Sequence, residues 1–396
     1  KGLEYLAERL ASHGFATVLP DFNFMNRSWA GDFGESGTAL NARLLLKHLM
    51  LLQQWQADSA HVYYKKLSLD STALVCHGEG CESAFMATAF QQAQALPEAP
   101  GEATGFQFRI GALVALSPLT LPGSRRRQVR DLDYLAIHPS HNPLLPGAVS
   151  FYQQAVMLNN DSERNFMANV YLQGGNHSQF NSQWERSMVA PPRKWLVNYA
   201  GLLLPARQQQ ATATLVTAFL QASVYQKIIC LQYFRQVATT AQAGADYKSR
   251  FFSSGMVKLL SFDEDPNPLT ALPDSASVSG RNLLAWQEVP AIGPDNAKTD
   301  YRLLLAWRQT VKQQVYGEPK GDSVAGYTLH LPSAFLQQKA LTDSSRLYFS
   351  LAAVPVPEAD GAIPLEGEEA VLPDPLTSTD FTIEFVDTVG IKTRFA

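Results

Sequence analysis

No run in the 396 residues approaches the roughly 20 consecutive apolar residues that a membrane-spanning helix needs. Charge is sparse as well: 17% of residues are charged and the formal net charge is −4. The only basic block is "SRRR" at Ser124–Arg127. Binding to a phosphate backbone needs a concentrated cationic face, so nucleic acid is not an expected partner. Three cysteines, Cys76, Cys81 and Cys230, are too few and too odd in number for a disulfide framework, which leaves the redox compartment open. The first residues, "KGLEYLAERLASHGF", have helical periodicity from Lys1, with no initiator Met and no signal-like apolar region. The chain therefore reads as one that starts inside a fold, with any targeting segment upstream. A secreted or periplasmic home stays open, and the compartment is not legible.

A hydrophobic fraction of 46% over this length suits a sizeable core and two domains. "EYLAERLASHGF" places Tyr5, Leu6, Leu10 and Ala11 on one helical face and stops at His13-Gly14. "ATVLPDF" reads as a short buried strand, followed by the loop-forming stretch "NFMNRSWAGDFGES". "TALNARLLLKHLMLLQQW" is a core helix, "STALVCH" a strand and "ESAFMATAFQQAQAL" a helix. "IGALVALSP", "DYLAIHP" and "ANVYLQGG" are further strands, with "GAVSFYQQAVML" as the helix before the last of them. Strands that are apolar throughout and alternate with helices predict a mainly parallel sheet covered on both faces. A helix starts near Pro205, which suits a first turn. From about Phe251 helical periodicity gives way to short runs such as "YRLLLAWRQ", "SRLYFSLAAV" and "DFTIEFVDTVG" between turn residues, which predicts a β-sandwich. An acidic, proline-rich loop, "PVPEADGAIPLEGEEAVLPDP", interrupts it, and there is no internal repeat. The predicted organisation is an α/β domain over 1–250 and an all-β domain over 251–396.

The segment "LVCHGEGCESA" at Leu74–Ala84 is the most informative. A strand that turns sharply into a helix through closely spaced glycines is how a nucleophile elbow, G-x-S-x-G, is built. Here the centre of the elbow is Gly78, which has no side chain to attack with. The backbone N–H of Glu79 occupies the position of one oxyanion donor.

These residues, with others in the same order along almost the whole chain, resemble the large bacterial α/β-hydrolases whose elbow reads like G-H-S-R-G-G. The shared features are a helix ending in "ASHG", a stretch like "PDFNFMN" and a helix like "NARLLLKHL". The motif "GGNHSQFNSQW" at Gly174–Trp184 and the final "DFTIEFVDTVG" complete the likeness. The resemblance implies an α/β-hydrolase-like sheet followed by a β-sandwich. It implies His177 as the catalytic base, Gly78 in place of the nucleophilic serine and Ser140 in place of the acid. It also implies that the second oxyanion donor lies on a loop before Lys1. Position supports His177 independently, since it follows a buried strand at the carboxyl edge of the sheet, where sites of open α/β sheets collect. Neither Ser140 nor its neighbours His141 and Asn142 carries the negative charge that stabilises an imidazolium.

Cys81 is an intrinsically strong nucleophile at a helix start, but it lies nearly a full turn past the elbow centre, as does Ser83. The plainer reading packs Cys81 between helix and sheet and points Cys76 into the core. Glu79 as a base on water is set against a solvent-facing side chain that complements the helix dipole. His138 and His141 in "HPSH" lack the fixed helical face of metal motifs, so no metal and no cofactor is expected. The resulting expectation is a degenerate pseudo-hydrolase with a pocket for a small, ester-like molecule. Two alternatives remain: an active ester or amide hydrolase with a non-standard nucleophile, and a ligand- or carbohydrate-binding protein acting through its β-sandwich. The oligomeric state is not legible.

Overall fold

The computed structural model describes residues 2–22, 34–96, 104–119, 129–141, 156–158, 165–184, 186, 200–235 and 244–260. Beyond these it describes 262, 267–272, 275–292, 298–307, 325–339, 345, 347–349, 382–386 and 392–395. Helix α1 (Glu4–Ala11) forms because Leu6 and Leu10, one turn apart, both find a core, at 2% and 5% exposure. It ends at Gly14, whose φ of +89° only glycine adopts without strain. Ala11, placed on the same face by its spacing, is exposed instead.

Helix α2 (Gly34–Ala57) precedes β1 (Thr72–His77), α3 (Gly80–Ala93) and β2 (Ile110–Leu116). Next come the two-residue strand β3 (Val129–Arg130), β4 (Asp133–His141), the two-residue β5 (Val156–Met157) and β6 (Phe166–Asn176). Helix α4 (Pro205–Ser223), the short α5 (Gln232–Arg235) and β7 (Tyr247–Ser253) follow. The main sheet has the order β1-β2-β4-β6-β7. Its first four strands are parallel and β7 runs antiparallel to β6.

Alternate residues of each strand feed two separate cores, as a sheet covered on both faces requires. Val114, Leu116, Leu135, Ile137, Val170 and Leu172 pack with Leu215, Val216 and Phe219 of α4 and with α1. Leu113, Ala115, Tyr134 and Ala136 pack on the other face with Leu46 of α2 and Phe85 of α3. The chain is thus a mostly parallel α/β sheet flanked by helices, with small two-stranded sheets beyond it. Among the described residues no helix is long and apolar enough to cross a membrane.

Several sequence expectations are corrected. "ATVLPDF" is not a strand: it is irregular, with Val18 and Leu19 at 56% and 47% exposure. A strand needs a hydrogen-bonding neighbour, and no described strand pairs with the outer side of β1. Of the helix expected over "GAVSFYQQAVML" only Val156–Leu158 is described, and Val156–Met157 pairs in parallel with Val129–Arg130. Short apolar runs serve helix and strand alike. The boundary at residue 250 falls inside β7, whose alternate buried residues Tyr247, Ser249 and Phe251 complete the main sheet. One compact unit accordingly comprises Lys1–Lys258 with Val289–Arg302, and the other Leu259–Glu288 with Leu303–Ala396.

In the C-terminal part, β8 (Ser277–Arg281) pairs antiparallel with β11 (Gly326–His330). Strand β9 (Ala285–Ile292) pairs with β10 (Lys298–Ala306), and β12 (Ile383–Val386) pairs antiparallel with β13 (Lys392–Phe395). A helix, α6 (Ser333–Lys339), lies between β11 and β12. Leu347, Tyr348 and Phe349, expected in a sandwich strand, are in no strand and are exposed. The acidic, proline-rich loop lies outside the described residues, as do Ser124–Arg127 and Asn142.

Phe219 of α4 is fully buried, edge-on to Phe166 at 5.3 Å and to Phe234 at 6.3 Å. Phe219→Ala is expected to cost about 3–5 kcal/mol of unfolding free energy, measured by urea denaturation, and Phe219→Leu clearly less.

Candidate active site

Gly78 follows β1 directly and has φ +59°, the left-handed conformation in which a residue at a strand-to-helix turn is thrust outward. Its N–H donates to Leu116 O at 3.0 Å. Its carbonyl accepts from Cys81 N and Leu119 N, both at 3.2 Å. A Cβ built on Gly78 would lie 3.0 Å from His177 Cε1 and 3.4 Å from His177 Nε2. The direction a side chain would take from residue 78 is therefore aimed at the His177 ring, which leaves a Cβ there tighter than ordinary van der Waals contact.

His177 is held from behind. It stands immediately after β6 and caps the single 3₁₀ turn Ser178–Phe180. Asn176 Oδ1 accepts from Ser178 N at 2.7 Å and from Gln179 N at 3.4 Å. The side chain of Gln208, fully buried on α4, grips the Asn176 backbone on both sides. Its Oε1 accepts from Asn176 N at 2.9 Å and its Nε2 donates to Asn176 O at 2.6 Å. Gln179 Nε2 donates to the same Gln208 Oε1 at 2.9 Å.

Ser117, at the end of β2, is the polar partner of the His177 ring: its Oγ is 2.8 Å from Nδ1. Ser117 is 1% exposed and has φ +43°, a conformation that costs a non-glycine residue about 1–2 kcal/mol. Burial pulls the His177 pKa below its ordinary value, and a hydrogen bond at the Ser117 backbone opposes the shift. The ring is thus neutral at pH 7. A proton on Nδ1, the side tied to Ser117, would leave the Nε2 lone pair free, 3.4 Å from the position of a Gly78 Cβ.

Aromatic rings wall the site. His77 stacks on His177 with centroids 4.4 Å apart and donates from Nε2 to His177 O at 3.1 Å. Burial, and then the neighbouring His177, push its pKa down to about 3. Phe180 and Trp184 lie 5.8 and 5.2 Å from the His77 ring.

The residues singled out by sequence divide clearly. Gly78, Glu79 and His177 come together at the carboxyl edge of the sheet. The Glu79 side chain is exposed and makes no cap, while its backbone N–H has no hydrogen-bond partner among the described residues. Ser140 is a correction. It lies near the end of β4 at the same edge, but its Oγ accepts from Gly174 N at 2.8 Å and bonds His141 Nδ1 at 2.9 Å. Ser117, from the strand between the elbow strand and β4, takes the place beside His177 that motif order assigned to Ser140. The ending of the apolar run "IGALVALSP" on Ser-Pro was its signal, since any polar residue closing a central strand falls at this edge.

Cys81 is also corrected. It is fully buried and disulfide-bonded to Cys76, with Cα atoms 4.9 Å apart, so it is not a free thiol, and only Cys230 is. The odd count concealed one bridge, which ties the end of β1 to the first turn of α3 across the elbow. Ser83 is buried on α3. His138 is a buried strand residue whose Nε2 has no partner among the described residues, and burial pushes its pKa down to about 4. Among the described residues no group of three or more His, Cys, Asp or Glu is placed to hold a metal ion. The one buried carboxylate near this strand, Asp133, accepts from Phe166 N at 2.9 Å at the opposite end of β4. Eight residues of extended chain, roughly 26 Å, separate it from the His177 edge. Compared with known proteins, the chain matches no family model and no curated protein.

Two measurements follow. The Cys76–Cys81 bridge closes a ring of about six residues, so its reduction is expected to cost about 2 kcal/mol of stability. Thiol titration in denaturant should count one free thiol before reduction and three after. A count of three before reduction contradicts the bridge. The second concerns acid. His77, His138 and His177 have folded pKa values below their unfolded ones, so the unfolded chain takes up their protons first. Stability is therefore full above the unfolded value of about 6.5 and is lost as pH falls toward the folded values, by up to about 1.4 kcal/mol per pH unit for each histidine. Denaturant midpoints between pH 7 and 4.5 test this, and His138→Gln should flatten the slope.

Proposed function

We propose that the chain is a degenerate α/β-hydrolase-fold protein with a C-terminal β-sandwich, which retains the base and one oxyanion donor of an ester hydrolase without its nucleophile or acid. One observation carries this reading: the side-chain direction of Gly78, at φ +59°, runs onto the His177 ring, with Cε1 at 3.0 Å and Nε2 at 3.4 Å from where a Cβ would stand. That is the relation of nucleophile to base, with the nucleophile's side chain removed. In such a site a serine at 78 would give its proton to Nε2 while attacking a carbonyl carbon, and the Glu79 N–H would receive the oxyanion. Ser117 supports the neutral tautomer of His177 but brings no charge to stabilise the imidazolium. The Cys76–Cys81 bridge removes the most reactive substitute nucleophile. The ligand class this reading implies is a small, ester-like molecule, bound rather than turned over.

The parent protein is expected to be inert toward fluorophosphonate probes and aryl esters. Gly78→Ser alone should give weak labelling, since the His177 ring must yield a few tenths of an ångström and lacks an acid. Adding Ser117→Asp should raise turnover by up to about 10⁴-fold, the cost of losing the acid in well-studied triads. Aspartate tolerates the left-handed conformation at 117 better than most residues. Adding Ser140→Asp instead should give no comparable gain. Robust ester turnover by the parent, abolished by His177→Ala, overturns the proposal.

A further inference from the structure

The turn that follows α2 does not belong to the site. After Ala57 the chain folds back through successive tight turns, with His61 N donating to Asp58 O, Tyr64 N to His61 O and Lys66 N to Tyr63 O, each at 3.0 Å. Lys65 N donates to Gln56 O at 3.0 Å and ties the turn to the helix, and Asp58 Oδ1 accepts from Ala60 N at 2.9 Å. Lys65 pays for this closure with φ +52°, a strained conformation for a lysine. Trp55 stacks flat on His61 at 4.8 Å, and Tyr63 leans on both rings. The turn is therefore rigid, yet it holds Val62, Tyr63 and Tyr64 outward at 65%, 42% and 36% exposure.

Single exposed apolar residues are ordinary, but three in a row on a hydrogen-bonded, strained turn are not. The patch continues onto α2, where Leu51, one turn before Trp55, is 38% exposed and Lys47, one turn earlier again, is exposed too. Lys65 and Lys66 border it in a chain of net charge −4. Lys65 Nζ lies 5.1 Å from the Tyr64 ring centroid.

We infer that this turn docks the protein onto an anionic lipid surface. Valine and tyrosine rings suit the headgroup–acyl boundary, where an apolar body meets a wet tip, and the lysines reach the phosphate or carboxylate headgroups above it. A sugar-stacking platform fits less well, because His61 covers one face of Trp55 and Lys65 sits over Tyr64. Two adjacent lysines are too few for a nucleic-acid groove. The turn precedes β1, whose other end leads to Gly78, so docking leaves the His177 edge facing away from the surface. The inference is independent of the hydrolase reading.

The test is co-sedimentation of the full chain with vesicles of phosphatidylcholine containing 30% phosphatidylserine, and with phosphatidylcholine alone. Binding to the anionic vesicles only, reduced in high salt, is expected. Val62→Ser with Tyr63→Ser and Tyr64→Ser should weaken it at least tenfold. Lys65→Gln with Lys66→Gln should weaken it roughly thirtyfold, given about a tenfold effect for each 1.4 kcal/mol and about 1 kcal/mol per lysine near such a surface. An unchanged thermal midpoint shows that the variants are folded. Absence of binding to anionic vesicles, equal binding to neutral ones, or binding unaffected by both variants overturns the inference. So does retention on a neutral polysaccharide that Tyr63→Ser abolishes.

Discussion

The placement of the His177 ring, 3.0 Å from where a Gly78 Cβ would stand, organises everything around it. For the ring to come so close, the end of β1 must turn through a left-handed glycine, β6 must deliver the histidine at the same edge, and α4 must brace the backbone behind it. The sheet supplies the first two through parallel register, with Cys76 beside Ala115 and Leu116 beside Ile137 in successive strands. Gln208 supplies the third with a doubly hydrogen-bonded amide that no water can loosen. A buried amide left half-paired costs about 1–3 kcal/mol, so this clamp is either complete or a liability. Here it is complete.

The electrostatics of the site follow from burial more than from charge. His177 is 4% exposed, and burial and a hydrogen bond at the Ser117 backbone, with no carboxylate, set its pKa. A neutral imidazole between a serine hydroxyl and a glycine is stable without a counter-ion, which an imidazolium in the same place would not be. On the proposed reading, the absence of a nucleophile and the absence of an acid are thus physically consistent with one another. Once no proton is passed to His177, a charged partner at residue 117 would itself be an unpaired buried ion.

How much of this was legible depended on whether an element is specified locally or by its neighbours. β1, β2, β4 and β6 were legible because a strand covered on both faces is apolar throughout, and Gly78 and His177 were legible because glycine-rich turns close such strands. "ATVLPDF" has the same composition but no strand beside it, and composition does not reveal a missing neighbour. Ser117 and Ser140 both end strands at the same edge, and sequence order favoured the wrong one because the reach of a side chain across β2 and β4 is set in space. Cys76 and Cys81 are five positions apart, and only the sharp turn at Gly78 brings their Cα atoms within bonding range. β7 was hidden by its alternating exposed residues Lys248 and Arg250, which suit an edge strand as well as a new domain.

On the hydrolase reading proposed above, the ring over Gly78 also makes the elbow a one-way street for its descendants. The nearest ring atom of His177 lies 3.0 Å from where a Gly78 Cβ would stand, so any side chain at residue 78 would need the imidazole to shift. A serine placed there would meet a ring that must shift, no carboxylate beside it, and an elbow that the disulfide already ties together without any catalytic demand. Each intermediate on the return path would carry the strain of reopening the site and none of the turnover. Selection acting one substitution at a time would preserve such a site as architecture long after its chemistry had gone.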